Sequence, residues 1–302
     1  MKSLTPLFPK LYYDNGFMVG DKILPYYSFG QPDETAHWSD TVTNFIAEAT
    51  RDHFIDRYNR RIALQAIDPV MKESGATYLD IGCSAGYMLE EARAAFPQAD
   101  LFGSDHFSSG LLHCHEKLPS VPLFQMDIAQ CQFKDNSFNA VTCLNVLEHV
   151  PNDAKALEEI LRILKPNGIL MMSVPASPHL YDLLDELHFH VRRYEVRDLR
   201  QKTIGAGFDL LAINHFGVLV YPGFYLQKKF NRLFYGKLSP ERKEKKARQE
   251  TMATRQMPWI EKLCNAELRI GRHLSYPFGI RIYTIARKPP TTPSQERDHV
   301  SG

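Results

Sequence analysis

Cysteine is scarce in this chain and follows no pattern. The five residues, Cys83, Cys114, Cys131, Cys143 and Cys264, form no CxxC pair and no even framework. An odd count without pattern gives no disulfide framework and fits a reducing compartment. No apolar run approaches the roughly 20 residues needed to span a bilayer. Pro6 and Pro9 fall where a signal peptide needs an unbroken apolar core, so a cytoplasmic location is expected. No charge sign dominates: 36 Lys and Arg against 35 Asp and Glu leave a formal charge of +1. Nucleic acid is therefore not an expected partner. With 44% hydrophobic and 24% charged residues, disorder is excluded for most of the 302 positions. The dinucleotide fingerprint GxGxxG is missing as well: glycines would be needed at 82, 84 and 87, and the chain has Gly82, Ser84 and Tyr87.

What is present is an alternation of short apolar strands with helical patterns. Residues 1–70 read as an irregular, aromatic-rich lead followed by a helical cap, with helix expected from about Thr41 to Val70. From 71 to 216 the pattern changes. Strands are expected at Thr77–Ile81, Asp100–Ser104, Leu123–Met126, Asn139–Leu144, Ile169–Val174 and Phe208–Phe216, with helices at Tyr87–Phe96, Ala154–Leu164 and Val196–Ala206. Asn152 or Asp153 can cap the middle helix, and Lys165-Pro166-Asn167-Gly168 stops it. Such alternation implies βαβ units, hence a parallel sheet with helices on both faces. Residues 217–279 form an insertion before a last strand within 280–288, and the Pro-rich tail 289–302 is expected to be disordered.

In sheets of this kind ligands bind outside the carboxyl ends of the strands. The first such loop holds Asp80, Gly82, Cys83 and Gly86. Its glycines let backbone N–H groups approach a ligand, the following helix start favours a carboxylate, and Asp80 can take an ammonium. An amino acid carries both groups; the plain alternative is a strand-to-helix turn with glycines for geometry. Asp105 lies 19 residues after Gly86, placed to accept both hydroxyls of a ribose. Asp127 with Ile128 can accept from an exocyclic amine while the aliphatic side chain packs on a purine ring. Each of these acids could instead be a helix cap.

These loops resemble those of class I S-adenosylmethionine-dependent methyltransferases. LDIGCSAG is similar to their first motif with Ser84 at the middle glycine, SDHF to the second and QMDI to the third. FNAVTCLNVLEHV and LKPNGILMMSVP are similar to the fourth and fifth strands. His53-Phe54 with Arg60-Arg61, the run Asp185–Tyr194 (DELHFHVRRY) and Ala206-Gly207-Phe208 resemble the bacterial type 11 and type 12 group. The resemblance covers about residues 76–176, extends through these flanks, and fades in 1–40 and 217–279. It implies a Rossmann-like, seven-stranded, mostly parallel α/β sheet, with N-terminal helices and the insertion forming a lid. It further implies S-adenosylmethionine as cofactor and S-adenosylhomocysteine as product. Cofactor contacts are expected from Asp80, Gly82, Cys83, Gly86, Asp105, His106, Asp127, Ile128 and Asn145.

The acceptor is expected to be a hydroxyl or amine of a small hydrophobic molecule, met by Tyr13, His188, His190, Arg193 and Tyr194. A non-catalytic cofactor-binding subunit and a metal-assisted O-methyltransferase are the alternatives. His149, at the end of the fourth strand, reads either as a general base or as a structural histidine fixing its loop. Ubiquinone-pathway relatives hold a divalent ion on ExxEH here. This chain has Asn145 at the first position, so no metal is expected. The 185–194 cluster has three readings: metal ligands, acceptor wall or loop anchor. In the insertion, Lys228 to Arg248 carries nine Lys or Arg against two Glu. It reads as a lid that packs Val218–Leu226 on the sheet mouth and exposes Lys228–Arg248; the competing reading is peripheral contact of 218–248 with an anionic membrane.

Overall fold

The computed structural model describes residues 2–4, 7, 12–19, 22–29, 51–234, 242, 245, 258–271 and 274–290. The lead is not irregular. Strands β1 (Lys2–Ser3), β2 (Tyr12–Tyr13), β3 (Phe17–Val19) and β4 (Lys22–Leu24) form a small antiparallel sheet. Its second turn contains Asn15-Gly16, both at positive φ, so the tight reversal places Tyr13 opposite Phe17. A further strand, β5 (Tyr27–Ser28), joins the edge of the main sheet, giving it eight strands rather than seven.

Within the expected helical stretch Arg51 and Asp52 are helical, the helix breaks at His53, and α1 (Phe54–Met71) begins there, capped by the His53 ring accepting from the Ile55 amide. The expected segment 41–50 lies outside the described residues. There follow β6 (Thr77–Ile81), α2 (Tyr87–Ala95), β7 (Asp100–Asp105), α3 (Ser108–Lys117), β8 (Leu123–Gln125) and β9 (Phe138–Leu144). Next come α4 (Asp153–Ile163), capped by Asn152 as expected, and β10 (Leu164–Pro175). The stop signal Lys165–Gly168 is absorbed into β10 as an irregularity: Asn167 takes a positive φ, and the register shifts between Leu164 and Ile169. The chain ends with α5 (Leu183–Leu187), α6 (Val196–Gly205), β11 (Asp209–Phe216), α7 (Tyr221–Phe234), α8 (Pro258–Gly271) and β12 (Arg281–Arg287).

The sheet order is β11-β12-β10-β9-β6-β7-β8-β5, parallel except for β12. Alternate residues of each strand feed opposite cores, as the two-residue period requires. Tyr78, Leu101, Ala140 and Met171 join α1, α2 and α3 on one face; Leu79, Phe102, Val141 and Met172 join α4 and α6 on the other. Strand order reverses where β6 lies between β9 and β7, which opens a crevice at their carboxyl ends. Among the described residues no helix is long and apolar enough to cross a membrane.

The insertion departs from expectation. Leu219 and Leu226 stay exposed instead of covering the sheet mouth, and Lys228 is buried at 4% exposure. The reason is electrostatic: Lys228 Nζ reaches Asp182 Oδ1 at 2.5 Å and Asp185 Oδ2 at 3.3 Å, so α7 is held down by a cation, not by its aliphatic side chains. Most of 235–257 and all of 291–302 lie outside the described residues, including most of the basic stretch and the tail.

Candidate active site

A cavity of about 1000 Å³ opens at the carboxyl ends of β6, β7, β8 and β9. Its floor is the β6–α2 loop. Gly82 and Gly86 both take positive φ, and a Cβ would run into Val146 Cγ2 at the first and Cys114 Sγ at the second. Ser84 adopts φ 45° where the usual motif has glycine, and its amide donates to Asp105 Oδ2 at 2.9 Å. The Phe107 amide donates to Asp105 Oδ1, also at 2.9 Å. The carboxylate is thereby fixed across the end of β7 with lone pairs left for a ligand. Burial pushes its pKa up, and these two amides oppose the shift.

Asp80 is buried and accepts from the Thr142 hydroxyl at 2.6 Å. Burial raises its carboxyl to about 7, with the Thr142 bond and Arg60 acting against and Asp105 adding to the rise. Cys83, His106, Ile128, Asn145 and His149 line the same cavity, as does Asp127, which also caps the turn after β8 by accepting from the Ala129 amide. Asn145 sits at φ 58° and is tied on both sides: it donates to Asp56 and accepts from Arg281.

Several expected acceptor residues are placed elsewhere. Tyr13 is buried, with its hydroxyl reaching the Pro119 and Val121 carbonyls, so it anchors the N-terminal sheet and does not line the cavity. Tyr194 is fully buried and donates to Leu147 O and Asp153 Oδ2. Arg193 pairs with Asp185 at 2.8 Å and donates to the Ala176 carbonyl. These two are loop anchors because each polar end is consumed by a buried partner. His188 and His190 lie behind the wall; from their loop it is Phe189, at φ 55° and 42% exposed, that faces the cavity. His149 meets His190 edge-on, with ring centroids 4.8 Å apart. Burial, then the neighbouring His190 and His188, depress its pKa to about 3. It is neutral at ordinary pH and a weak base.

The residues that sequence reasoning left without a role come from α1. Asp56, Asn59 and Arg60, at i, i+3 and i+4, share the face that borders the cavity. Asn59 is buried, and neither its amide oxygen nor its nitrogen has a hydrogen-bond partner. The spacing was visible in the sequence; what it faced was not.

A family model described as a methyltransferase domain matches residues 51–213. An uncharacterised 37.1 kDa protein of a Streptomyces fradiae transposon is 27% identical over 61% of this chain and 52% of its own length. A ubiquinone biosynthesis O-methyltransferase of Alkalilimnicola ehrlichii is 35% identical over 35% of this chain and 45% of its own. The chain spans about half the length of the curated relatives it matches. Among solved structures, the Haemonchus contortus phosphoethanolamine N-methyltransferase 2 in complex with S-adenosyl-L-methionine superposes with a TM-score of 0.58 at 17% identity, covering 84% of this chain and 58% of that one. With more than half of the sequence inside the family model and this sheet beneath it, the chain belongs to the class I S-adenosylmethionine-dependent methyltransferase family.

Proposed function

We propose that this chain transfers the methyl group of S-adenosylmethionine to a hydroxyl or amine of a small hydrophobic acceptor. The observation that carries the reading is that a fixed Asp105 and a buried Asn59 without a hydrogen-bond partner line the same cavity. Buried polar groups are normally satisfied, so Asn59 is suited to a polar ligand. The donor set fits the cofactor along its length: Asp127 and Ile128 for the base, Asp105 for the ribose, Asp80, Asn59 and Arg60 with the glycine loop for the amino-acid end. When bound, S-adenosylmethionine supplies a methyl group on a sulfonium; the chain's own part is to align the acceptor and exclude water. The low basicity of His149 favours positioning over proton removal. Phe189, Val146 and Val150 give the acceptor side an apolar wall, and the O-methyltransferase relative supports a hydroxyl as the target.

A second surface belongs to this reading. Helix α7 exposes Leu226, Phe230 and Leu233 at i, i+4 and i+7 ahead of the basic run, which suits contact with an anionic membrane where a hydrophobic acceptor would reside.

The test is turnover. Purified protein is incubated with isotope-labelled S-adenosylmethionine and cell extract, then analysed by mass spectrometry; a labelled apolar product together with S-adenosylhomocysteine is expected. S-adenosylhomocysteine binding without labelled product in any extract would make the chain a non-catalytic binding subunit. Absence of binding would remove the cofactor reading itself.

A further inference from the structure

Beside Phe189 lies a polar cluster of which the reading above uses only His149. Glu148 is 0% exposed, and neither oxygen of its carboxylate has a hydrogen-bond partner. Such a group is costly in a protein interior unless a proton or a cation satisfies it. Two imidazoles adjoin it: His149, next in the chain, and His190, from the loop after α5. One ligand atom from each of the three residues lies within 4.8 Å of the others. His190 Nε2 stands 3.9 Å from Glu148 Oε1, and its Nδ1 is 2.8 Å from Asp185 Oδ1. Asp185 is in turn held by Arg193 and Lys228. A carboxylate that grips one ring nitrogen and aims the other at a common point is how proteins orient metal-binding histidines.

Two histidines and one carboxylate make a ligand set for borderline divalent ions of the first transition row. Calcium and magnesium prefer oxygen ligands throughout. His149 also lines the cavity, which sets the cluster at its edge. We infer that Glu148, His149 and His190 form a binding site for one divalent transition-metal ion, oriented by Asp185, in the wall of the acceptor cavity. Loss of a carboxylate at Asn145 had argued against any metal, since the remaining adjacent pair supplies only two ligands. The third comes from 42 positions further on, brought in by the turn that places the Val191 amide on the Glu148 carbonyl at 2.8 Å. The ion's use in methyl transfer rests on the proposed function; its binding does not.

The full chain is stripped with chelator, dialysed against Zn²⁺, and its metal content measured by mass spectrometry, with Co²⁺ titrated in parallel by visible absorption. About one equivalent of Zn²⁺, a Co²⁺ ligand-field band and no displacement by Mg²⁺ are expected. Glu148→Gln and His190→Gln should each weaken metal binding by about tenfold or more, the scale of losses at such sites. Both should leave S-adenosylhomocysteine affinity within about twofold, which also shows that the variants are folded. Wild-type protein that binds S-adenosylhomocysteine but retains no Zn²⁺ would overturn the site and leave His190 as a loop-fixing residue held by Asp185. Equal Zn²⁺ in wild type and both variants would overturn it too. Zn²⁺ bound without S-adenosylhomocysteine binding would sink the methyltransferase reading and leave the metal site standing.

Discussion

At Asp80 burial in the fold opposes the charge that the proposed function needs there. Its carboxyl is raised to about 7 by burial, above the ordinary 3.8. Between those values the folded chain holds a proton that the unfolded chain has released, so stability from this group declines as pH rises through that window. A ligand ammonium reverses the balance, because it favours the ionised form. Cofactor affinity should therefore tighten as pH rises from about 5.5 to about 7.5, and Asp80→Asn should flatten that profile while weakening binding roughly tenfold, the value of a hydrogen bond to a charged group. Calorimetry with S-adenosylhomocysteine across that range checks it; a flat wild-type profile would remove Asp80 from the ammonium site. At this scale the strand-end acids were legible because each follows a short apolar run. The α1 residues that share their cavity were not, since Asn59 precedes Asp80 by 21 positions and no local period reports what an α1 face will border. Tyr13, Arg193 and Tyr194 misled for a related reason: polar tips in a dense cluster look alike whether they await a ligand or are consumed by buried partners.

Helix α7 shows the same gap one level up. A count of apolar and charged residues makes Lys228 an exposed residue, yet it is buried against Asp182 and Asp185, while Leu226 stands 66% exposed. Removing the cation leaves Asp182 without its ion-pair partner, whereas Asp185 keeps Arg193 and His190. Lys228→Met should cost about 3 kcal/mol, as when one partner of a buried pair is deleted. The double variant Lys228→Met, Asp182→Asn should recover part of that loss. Chemical denaturation measures both, and a single variant within about 0.5 kcal/mol of wild type would mean the pair does not hold the helix. The parallel strands, by contrast, announced themselves through continuous apolar runs between helical periods. Strands β1 to β5, two or three residues each, carry too few positions for a period to show. The Asn15-Gly16 turn that sets the β2–β3 hairpin is one dipeptide in that lead, which read as irregular.

For the whole molecule, one end of the sheet carries the cavity, and α7 presents an apolar stripe to solvent. Leu226 and Leu233 are 66% and 77% exposed, with Phe230 between them. Exposed apolar residues are common singly, but a helical stripe of them followed by a basic run has the composition of an interfacial segment. The basic run that could serve it in the sequence follows α7. Lys229 lies over the Tyr225 ring, and Arg232 donates to the His179 and Tyr181 carbonyls, so both are partly engaged; Lys237, Arg242, Lys243, Lys245, Lys246 and Arg248 follow in the sequence. Each basic residue near an anionic surface adds about 1 kcal/mol, within a screening distance of roughly 10 Å at 0.1 M salt. The protein should therefore sediment with vesicles containing phosphatidylserine, release as salt is raised, and stay in the supernatant with neutral vesicles. Replacing the lysines at 237, 243, 245 and 246 with glutamine should abolish sedimentation without changing S-adenosylhomocysteine affinity, because the loops proposed to hold the cofactor lie at the strand ends. Replacing Leu226 and Leu233 with serine should weaken sedimentation at every salt concentration, since that part of the attraction is apolar and unscreened. Binding that ignores both salt and these substitutions would remove the membrane surface from the molecule and leave α7 as a cover for the loop it grips through Lys228.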